Sequence, residues 1–306
     1  MINSPLMNPA APESTAICPV CTNDQTQFVF KIKDYSVSGE YFDIYQCLQC
    51  ALRFTKDAPS EYLIGPYYQS EDYISHSNTR KGIVNSLYHL VRTRTLHSKY
   101  HLLKNSTGLK TGRHLDVGAG TGAFVQYMNQ QGWNSEGIEP DEKARERAFE
   151  HHRTKLLPAT ALDTLVPGNY DAISLWHVLE HIHDLYPYLK KIKNFLKPAG
   201  QVFIAVPNYT SYDAEKYDTT WAAYDVPRHL YHFSPASMRW LLKAAGFELK
   251  EIVPMWYDSY YISMLSEKYK GVSNSLLKGF FSGTVSNMKT IGNREKCSSL
   301  IYIAGK

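Results

Sequence analysis

The chain has 306 residues, 43% of them hydrophobic, with 33 basic against 29 acidic side chains and a net charge of +4. That length allows a well-buried core with a smaller appendage, and the near balance of charge, with no long block of one sign, gives a polyanion such as nucleic acid no footing. No stretch of 18 or more apolar residues occurs, so no membrane span is expected.

Residues 1–14 lack a basic start followed by an apolar core and read as a disordered lead, so no export signal is expected and the chain is placed in the cytoplasm. Residues 15–56 carry Cys18, Cys21, Cys47 and Cys50 as two C-x-x-C pairs, with alternating apolar positions in QFVFKI and YFDIYQC between them. Disulfides are not expected in that compartment. Two thiolate pairs on short turns, joined by a hairpin, make a tetrahedral four-sulfur site that suits zinc. Such a site is closed to water, so its expected role is structural, and a segment of about 40 residues needs the folding energy a metal supplies. Cys297 stands alone and is expected to be buried. Lys31 and Lys33 are the only bases between Cys21 and Cys47, which disfavours RNA as a ligand of this ribbon.

Residues 57–110 open on a tyrosine-rich loop, EYLIGPYYQSEDYISHSN. Its Tyr67, Tyr68, Tyr73 and His76 either fold over a pocket as a cap or pack the ribbon against the core. A helical cap follows, in which Ile83, Leu87, Leu90, Val91, Leu96, Leu102 and Leu103 recur at three- and four-residue steps. From residue 111 to 306 apolar strands alternate with helices, the pattern of an α/β domain with a parallel sheet covered on both faces. Strands are expected at residues 114–117, 135–138, 155–157, 172–175, 201–206, 248–253 and 300–304. Helices are expected at 123–131 and 185–196, the second stopped by the turn KPAG at 197–200, with more helix between 257 and 297.

Gly118, Gly120 and Gly122 form G-x-G-x-G directly after a strand that ends in Asp116 and Val117. Glycine serves there because the chain reverses tightly while its backbone approaches a ligand that a Cβ would block. The next helix offers free N–H groups to that ligand. Glu139, 17 residues past Gly122, ends the following strand, where a doubly wound sheet places an acid against two ribose hydroxyls.

LDVGAGTG, GIEPD, YDAISLWHVLEHIHD and LKPAGQVFIAVPN stand in that order over about residues 111–255. Together they resemble the class I S-adenosylmethionine-dependent methyltransferases. The resemblance implies a Rossmann-like, seven-stranded, mostly parallel doubly wound sheet with an antiparallel last strand. It implies S-adenosylmethionine as cofactor, with Asp116, Gly118, Ala119, Gly120 and Gly122 around its amino acid part and Glu139 with Pro140 at its ribose. Asp163 would border the adenine, and Trp176 and His177 would lie beside the sulfonium. The N-terminal cysteine ribbon adds a looser resemblance to sugar C-methyltransferases that carry a zinc-binding domain.

Transfer to an oxygen or carbon nucleophile needs a base, and histidine is the one suited to neutral pH. WAAYDVPRHLYHFS follows the fifth strand, where a lid usually covers the substrate. His229 is therefore the first candidate base, with His177 second. His229 and His232 beside Arg228 also suit an anionic substrate, and Trp221, Tyr224 and Arg228 are candidate lid residues. Each of these histidines is equally open to a structural role. Ubiquinone-type O-methyltransferases carry Glu-x-x-Glu-His after the fourth strand, a pattern that holds a divalent metal. Glu180 and His181 match it, but His177 replaces the first acid, which argues against a catalytic metal. The expected activity is in-line methyl transfer to a small molecule or a sugar or cell-envelope precursor. The alternative is a ribbon-docked methyltransferase or cofactor binder that acts on a macromolecule, either RNA or a carrier protein.

Overall fold

Alternation sets both sheets of this computed structural model, which describes residues 16–69 and 83–306, the side chains of 83–92 excepted. The 1–14 lead, Tyr73 and His76 lie outside the described residues. In chain order come β1 (Thr26–Lys33), β2 (Tyr41–Cys47), β3 (Arg53–Thr55), α1 (Ile83–Thr107), β4 (Arg113–Val117), α2 (Ala123–Gln130), β5 (Asn134–Ile138), α3 (Glu142–His152) and β6 (Tyr170–Trp176). There follow α4 (Leu185–Phe195), β7 (Leu196–Pro207), α5 (Tyr212–Tyr217), β8 (Tyr231–His232), α6 (Pro235–Ala244), β9 (Glu248–Pro254), α7 (Asp258–Tyr269), α8 (Ser275–Gly292) and β10 (Ser299–Gly305).

The large sheet has the order β5-β4-β6-β7-β10-β9. Its strands run parallel except β10, which is antiparallel to both β7 and β9, so the last strand is inverted as the family resemblance implies. The expected strand at 155–157 reduces to one parallel bridge, Leu157 to Ile138. Six strands and that bridge fill the seven positions. Side chains of β6, β7 and β10 alternate between two apolar clusters, as a pleated strand requires. Ile173, Leu175, Val202, Ile204, Leu300 and Tyr302 pack with α4 and α6. Ala172, Phe203, Ala205, Ile301 and Ile303 pack with Tyr100 and Leu103 of α1 and Phe124 and Met128 of α2. Both faces are covered.

Local chemistry starts the helices. The Asp141 carboxylate accepts from the Lys143 N–H at the head of α3, and Ser234 and Ser237 form a reciprocal cap on α6, with Pro235 at its first position. In α4 the apolar residues Leu185, Leu189, Ile192 and Phe195 fall on one stripe and are buried. KPAG is not the free turn expected. Tyr170 pairs with Leu196 and Ala172 with Gln201, so residues 197–200 bulge within β7, and the strand starts as soon as α4 ends.

The N-terminal sheet runs β1-β2-β3-β8. Its fourth strand comes from far along the chain, with Arg53 opposite His232 and Phe54 opposite Tyr231. The cysteine segment is thereby tied to the methyltransferase-like part. Among the described residues no helix is long and apolar enough to cross a membrane.

Candidate active site

The glycine bend leaves the C-terminal edge of β4. Gly118 and Ala119 donate to the Ile138 carbonyl at 2.8 and 2.9 Å, which folds the bend back over β5. Gly118 has φ +72°, and a Cβ there would lie 2.4 Å from Val178 Cγ2, so its space is already taken. Gly120, at φ +54°, faces open space. Its N–H donates to Glu139 Oε2 at 2.7 Å, while Glu139 Oε1 accepts from the Asp141 N–H at 3.0 Å. Bend and acid meet, as the sequence spacing anticipates. Burial pushes the Glu139 carboxyl up against the pull of those two N–H donors. Pro140 is exposed beside it.

Asp116 is buried behind the bend and accepts from Ser174 Oγ at 2.5 Å. Ser174 in turn bonds His114 Nε2 at 2.9 Å, and His114 Nδ1 bonds Ser135 Oγ at 2.8 Å. Burial holds His114 neutral, its value pulled down to about 3, and pushes Asp116 up to about 6. Lys99 of α1 sits near Asp116 and Asp258, its ammonium 4.2 Å from the Trp176 ring centre. Burial lowers the Lys99 value, and the two carboxylates oppose that shift. Neither Lys99 nor Asp258 carries a sequence signal. Lys99 lies in a stripe read as packing, and Asp258 in a stretch without motif.

Trp176 ends β6, nearly buried, and His177 follows at φ +57°. His177 is held between two acids, Nδ1 3.3 Å from Glu180 Oε1 and Nε2 2.8 Å from Asp258 Oδ2. Burial works against its charge, but Asp258 and then Glu180 outweigh it and raise His177 to about 10. Two carboxylates that favour its protonated form fit His177 poorly to the role of base.

His229 lies on the other side of Glu180. Its Nδ1 is 2.8 Å from the Ala223 carbonyl, which only a donor can satisfy, so Nε2 of the neutral ring carries the lone pair. His181 repeats the arrangement with Nδ1 3.0 Å from the Arg228 carbonyl, and Tyr68 OH is 3.1 Å from the same nitrogen. Burial and then the neighbouring His229 bring His181 down to about 4. Ligand atoms of Glu180, His181 and His229 lie within 4.8 Å of one another. Glu180 Oε2 is buried there with no hydrogen-bond partner.

Arg228, Trp221, Tyr224 and His232 make contacts within the fold. Arg228 is 2% exposed and pairs with both Asp225 oxygens at 2.7 and 3.0 Å, with Asp34 at 2.9 Å and with the Tyr67 carbonyl at 2.8 Å. At that burial, with its guanidinium turned onto two carboxylates and a carbonyl, Arg228 presents almost no surface to an anionic substrate. Trp221 is buried and donates from Nε1 to Asp213, and buried Tyr224 accepts from Arg53 at 2.7 Å. His232 lies in β8, buried, with Nε2 3.2 Å from Thr55 Oγ1, and burial lowers its value well below the usual. His229 and His232 therefore do not share a site, because the strand turns the second into the N-terminal sheet. Asp163 stands at the surface on Lys191 at 2.7 Å. Tyr67 donates to Glu40.

The four cysteine sulfurs lie within 4.8 Å of one another, with Cys18 to Cys50 at 3.7 Å and Cys21 to Cys47 at 3.4 Å. Tetrahedral bonds of about 2.3 Å to a central ion require sulfurs about 3.8 Å apart. The residues fit. Cys297 is buried, as expected.

A doubly wound sheet with a glycine bend and an acid at its open edge defines a class I methyltransferase-like nucleotide fold. The profile described as "Methyltransferase domain" matches residues 90–252, just over half of the chain. The "Ubiquinone biosynthesis O-methyltransferase" of Pseudomonas aeruginosa (strain UCBPP-PA14) is 27% identical over 165 residues, covering 49% of this chain and 71% of that protein. The protein of the same name from Acinetobacter baumannii (strain AYE) is 26% identical over 165 residues, with 49% and 70% covered. Among solved structures, Haemonchus contortus phosphoethanolamine N-methyltransferase 2 with S-adenosyl-L-methionine gives a TM-score of 0.48 at 21% identity, covering 69% of this chain and 52% of that one, so this chain spans about half its length. A putative sarcosine dimethylglycine methyltransferase from Galdieria sulphuraria gives 0.49 at 16% identity, with 71% and 86% covered. The chain belongs to the methyltransferase-domain family and is an S-adenosylmethionine-dependent methyltransferase.

Proposed function

We propose that the enzyme methylates a hydroxyl of a small molecule, with His229 Nε2 taking the proton. The cofactor brings a methyl on a sulfonium, and in-line displacement forms the O–C bond as the C–S pair returns to sulfur. Asp116 and the backbone of Gly118, Ala119, Gly120 and Gly122 hold its amino acid part, and Glu139 with Pro140 its ribose. Trp176 and His177 border the reacting end. The observation that carries the reading is that the Ala223 carbonyl engages His229 Nδ1 as the donor and leaves Nε2 beside Glu180 for the acceptor's proton. The relatives named for ubiquinone biosynthesis favour an aromatic hydroxyl as acceptor. A screen with labelled cofactor against phenolic quinone precursors, nucleotide-sugars and lipid precursors tests this. Label confined to RNA or a carrier protein would overturn it.

A second reading rests on the unpartnered Glu180 Oε2. One carboxylate and two imidazoles, each with its Nδ1 engaged by a carbonyl, suit a divalent first-row metal. Bound there, the metal would acidify the acceptor hydroxyl, and His229 would be its ligand. Activity untouched by dialysis against a chelator that spares the cysteine site keeps the base reading; loss restored by Mn²⁺ or Mg²⁺ selects the metal.

With Asp116 at about 6, its carboxylate is available above that pH and protonated below. If the charged form binds the cofactor's ammonium, calorimetry should show the apparent Kd flat above pH 7 and about tenfold weaker at pH 5. A flat profile down to pH 5 removes Asp116 from that role.

We assign the cysteine cage a structural zinc, and reduced thiolates of this kind support a reducing compartment such as the cytoplasm. Metal analysis should find about one zinc per chain and none in a Cys18→Ser/Cys21→Ser variant. Purified protein with two disulfides and no zinc contradicts the assignment.

A further inference from the structure

Helix α8 is inside out. Its buried residues are all small: Gly279 and Gly283 against α7, Ser282 and Ser286 bonded to Lys216 and Asp213 of α5, and Thr290. A Cβ on Gly279 would lie 2.3 Å from Met264 Cα, so the two backbones are in direct contact. On α7, Ser259 donates to Asn287 of α8, while Ser266 accepts from the Ala222 N–H and Ile262 joins the cluster of Trp221 and Tyr224. The large apolar residues of α8 lie on its outer side, with Phe280 stacked on Tyr260 of α7. Leu276, Leu277, Phe280, Phe281, Met288 and Ile291 are each between 55% and 75% exposed. In water a helix buries its large apolar stripe, whereas small residues inside and large ones outside is the arrangement of helices packed in lipid. A contiguous exposed patch of this kind marks an interaction surface.

Charge selects the occupant. From Lys268 to Arg294 the chain carries Lys268, Lys270, Lys278, Lys289 and Arg294 and no acid. A two-fold pairing of this face with itself would set that positive surface against its copy, so a second copy is disfavoured. Large apolar residues flanked by bases fit an anionic bilayer, with the side chains entering the acyl boundary and the ammonium groups at the phosphates. A shallow hollow of about 340 Å³ beside the helix sets Lys278 next to Leu277 and Phe281, while its other lysine, Lys216, is held by Ser282 and by Glu267 at 3.7 Å. We propose that α8 docks the enzyme on the surface of an anionic membrane, lying in the interface rather than crossing it. The hairpin that offers this face also supplies Asp258 to His177. The inference does not depend on which acceptor is methylated.

Sedimentation with phosphatidylglycerol-rich vesicles and with pure phosphatidylcholine vesicles tests it on the full chain. Binding to the anionic vesicles is expected, weakening as salt rises. Leu277→Gln/Phe281→Gln and, separately, Lys278→Glu/Lys289→Glu should each reduce it about tenfold or more while cofactor affinity stays at the wild-type value. Three results would overturn the proposal: no vesicle binding, equal binding to neutral vesicles, or a dimer that the apolar double variant dissociates without any vesicle binding. Cofactor affinity reports the fold independently of the surface, and methyl transfer in lipid-free buffer reports the active site.

Discussion

Replacing His229 with glutamine should lower turnover by about 10²–10⁴ and leave cofactor affinity intact, the span expected for loss of a positioned proton acceptor. Three histidines surround Glu180, and their environments separate them. His177 is lifted to about 10 by two carboxylates, which favour its protonated form. His181, brought down to about 4 by burial, accepts a proton too weakly to draw one from a hydroxyl. His229 and His181 both anchor Nδ1 on a carbonyl and turn Nε2 toward Glu180, and of these two it is His181 that burial draws down. Single-turnover kinetics with saturating cofactor would isolate the chemical step from binding. A Gln variant within a few-fold of wild type would remove His229 as base, and His181→Gln serves as the internal comparison. Loss of cofactor binding alongside turnover would instead mean a structural role.

The part of the site built within one strand–helix–strand unit was legible in the sequence. The glycine bend and Glu139 are separated by a single helix, so spacing alone predicts that they meet, and Gly120 N–H does reach Glu139. The two cysteine pairs were legible for the same reason, because one hairpin joins them. What was missed depends on contacts far apart in the chain. β8 is two residues long and becomes a strand only because β3 offers an edge. Asp34 and Arg228 stand 194 positions apart, and no local pattern marks them as partners. Arginine is rarely buried, so a surface, substrate-facing role was the natural reading of Arg228. His229 and His232 were read as a pair from their three-residue spacing. β8 begins between them, and pairing with β3 carries His232 into the other sheet.

Arg228→Met should destabilise the protein by about 3–5 kcal/mol, the usual consequence of leaving buried charge without its partner. Asp34 is 0% exposed at its side chain and also anchors the turn after β1, accepting from the Ser36, Val37 and Ser38 N–H groups. Burial alone would raise both Asp34 and Asp225, but Arg228 outweighs it and holds both below the ordinary carboxylate value of 3.8. The sign follows from that direction. Their contribution is full above the unfolded value and is lost as the pH falls through the lower folded values, so the wild-type protein should lose stability most steeply below about pH 4. The Met variant should lack that component, with its melting temperature lower by roughly 10 °C at neutral pH. Arg228→Lys keeps the charge but loses the fork that reaches both Asp225 oxygens, and should fall between the two. A substrate-binding arginine would behave differently: KM for the methyl acceptor would rise while the melting temperature stayed in place. The clamp predicts the reverse, a lower melting temperature with KM unchanged in the folded fraction. Both measurements on one preparation of Arg228→Met decide between them.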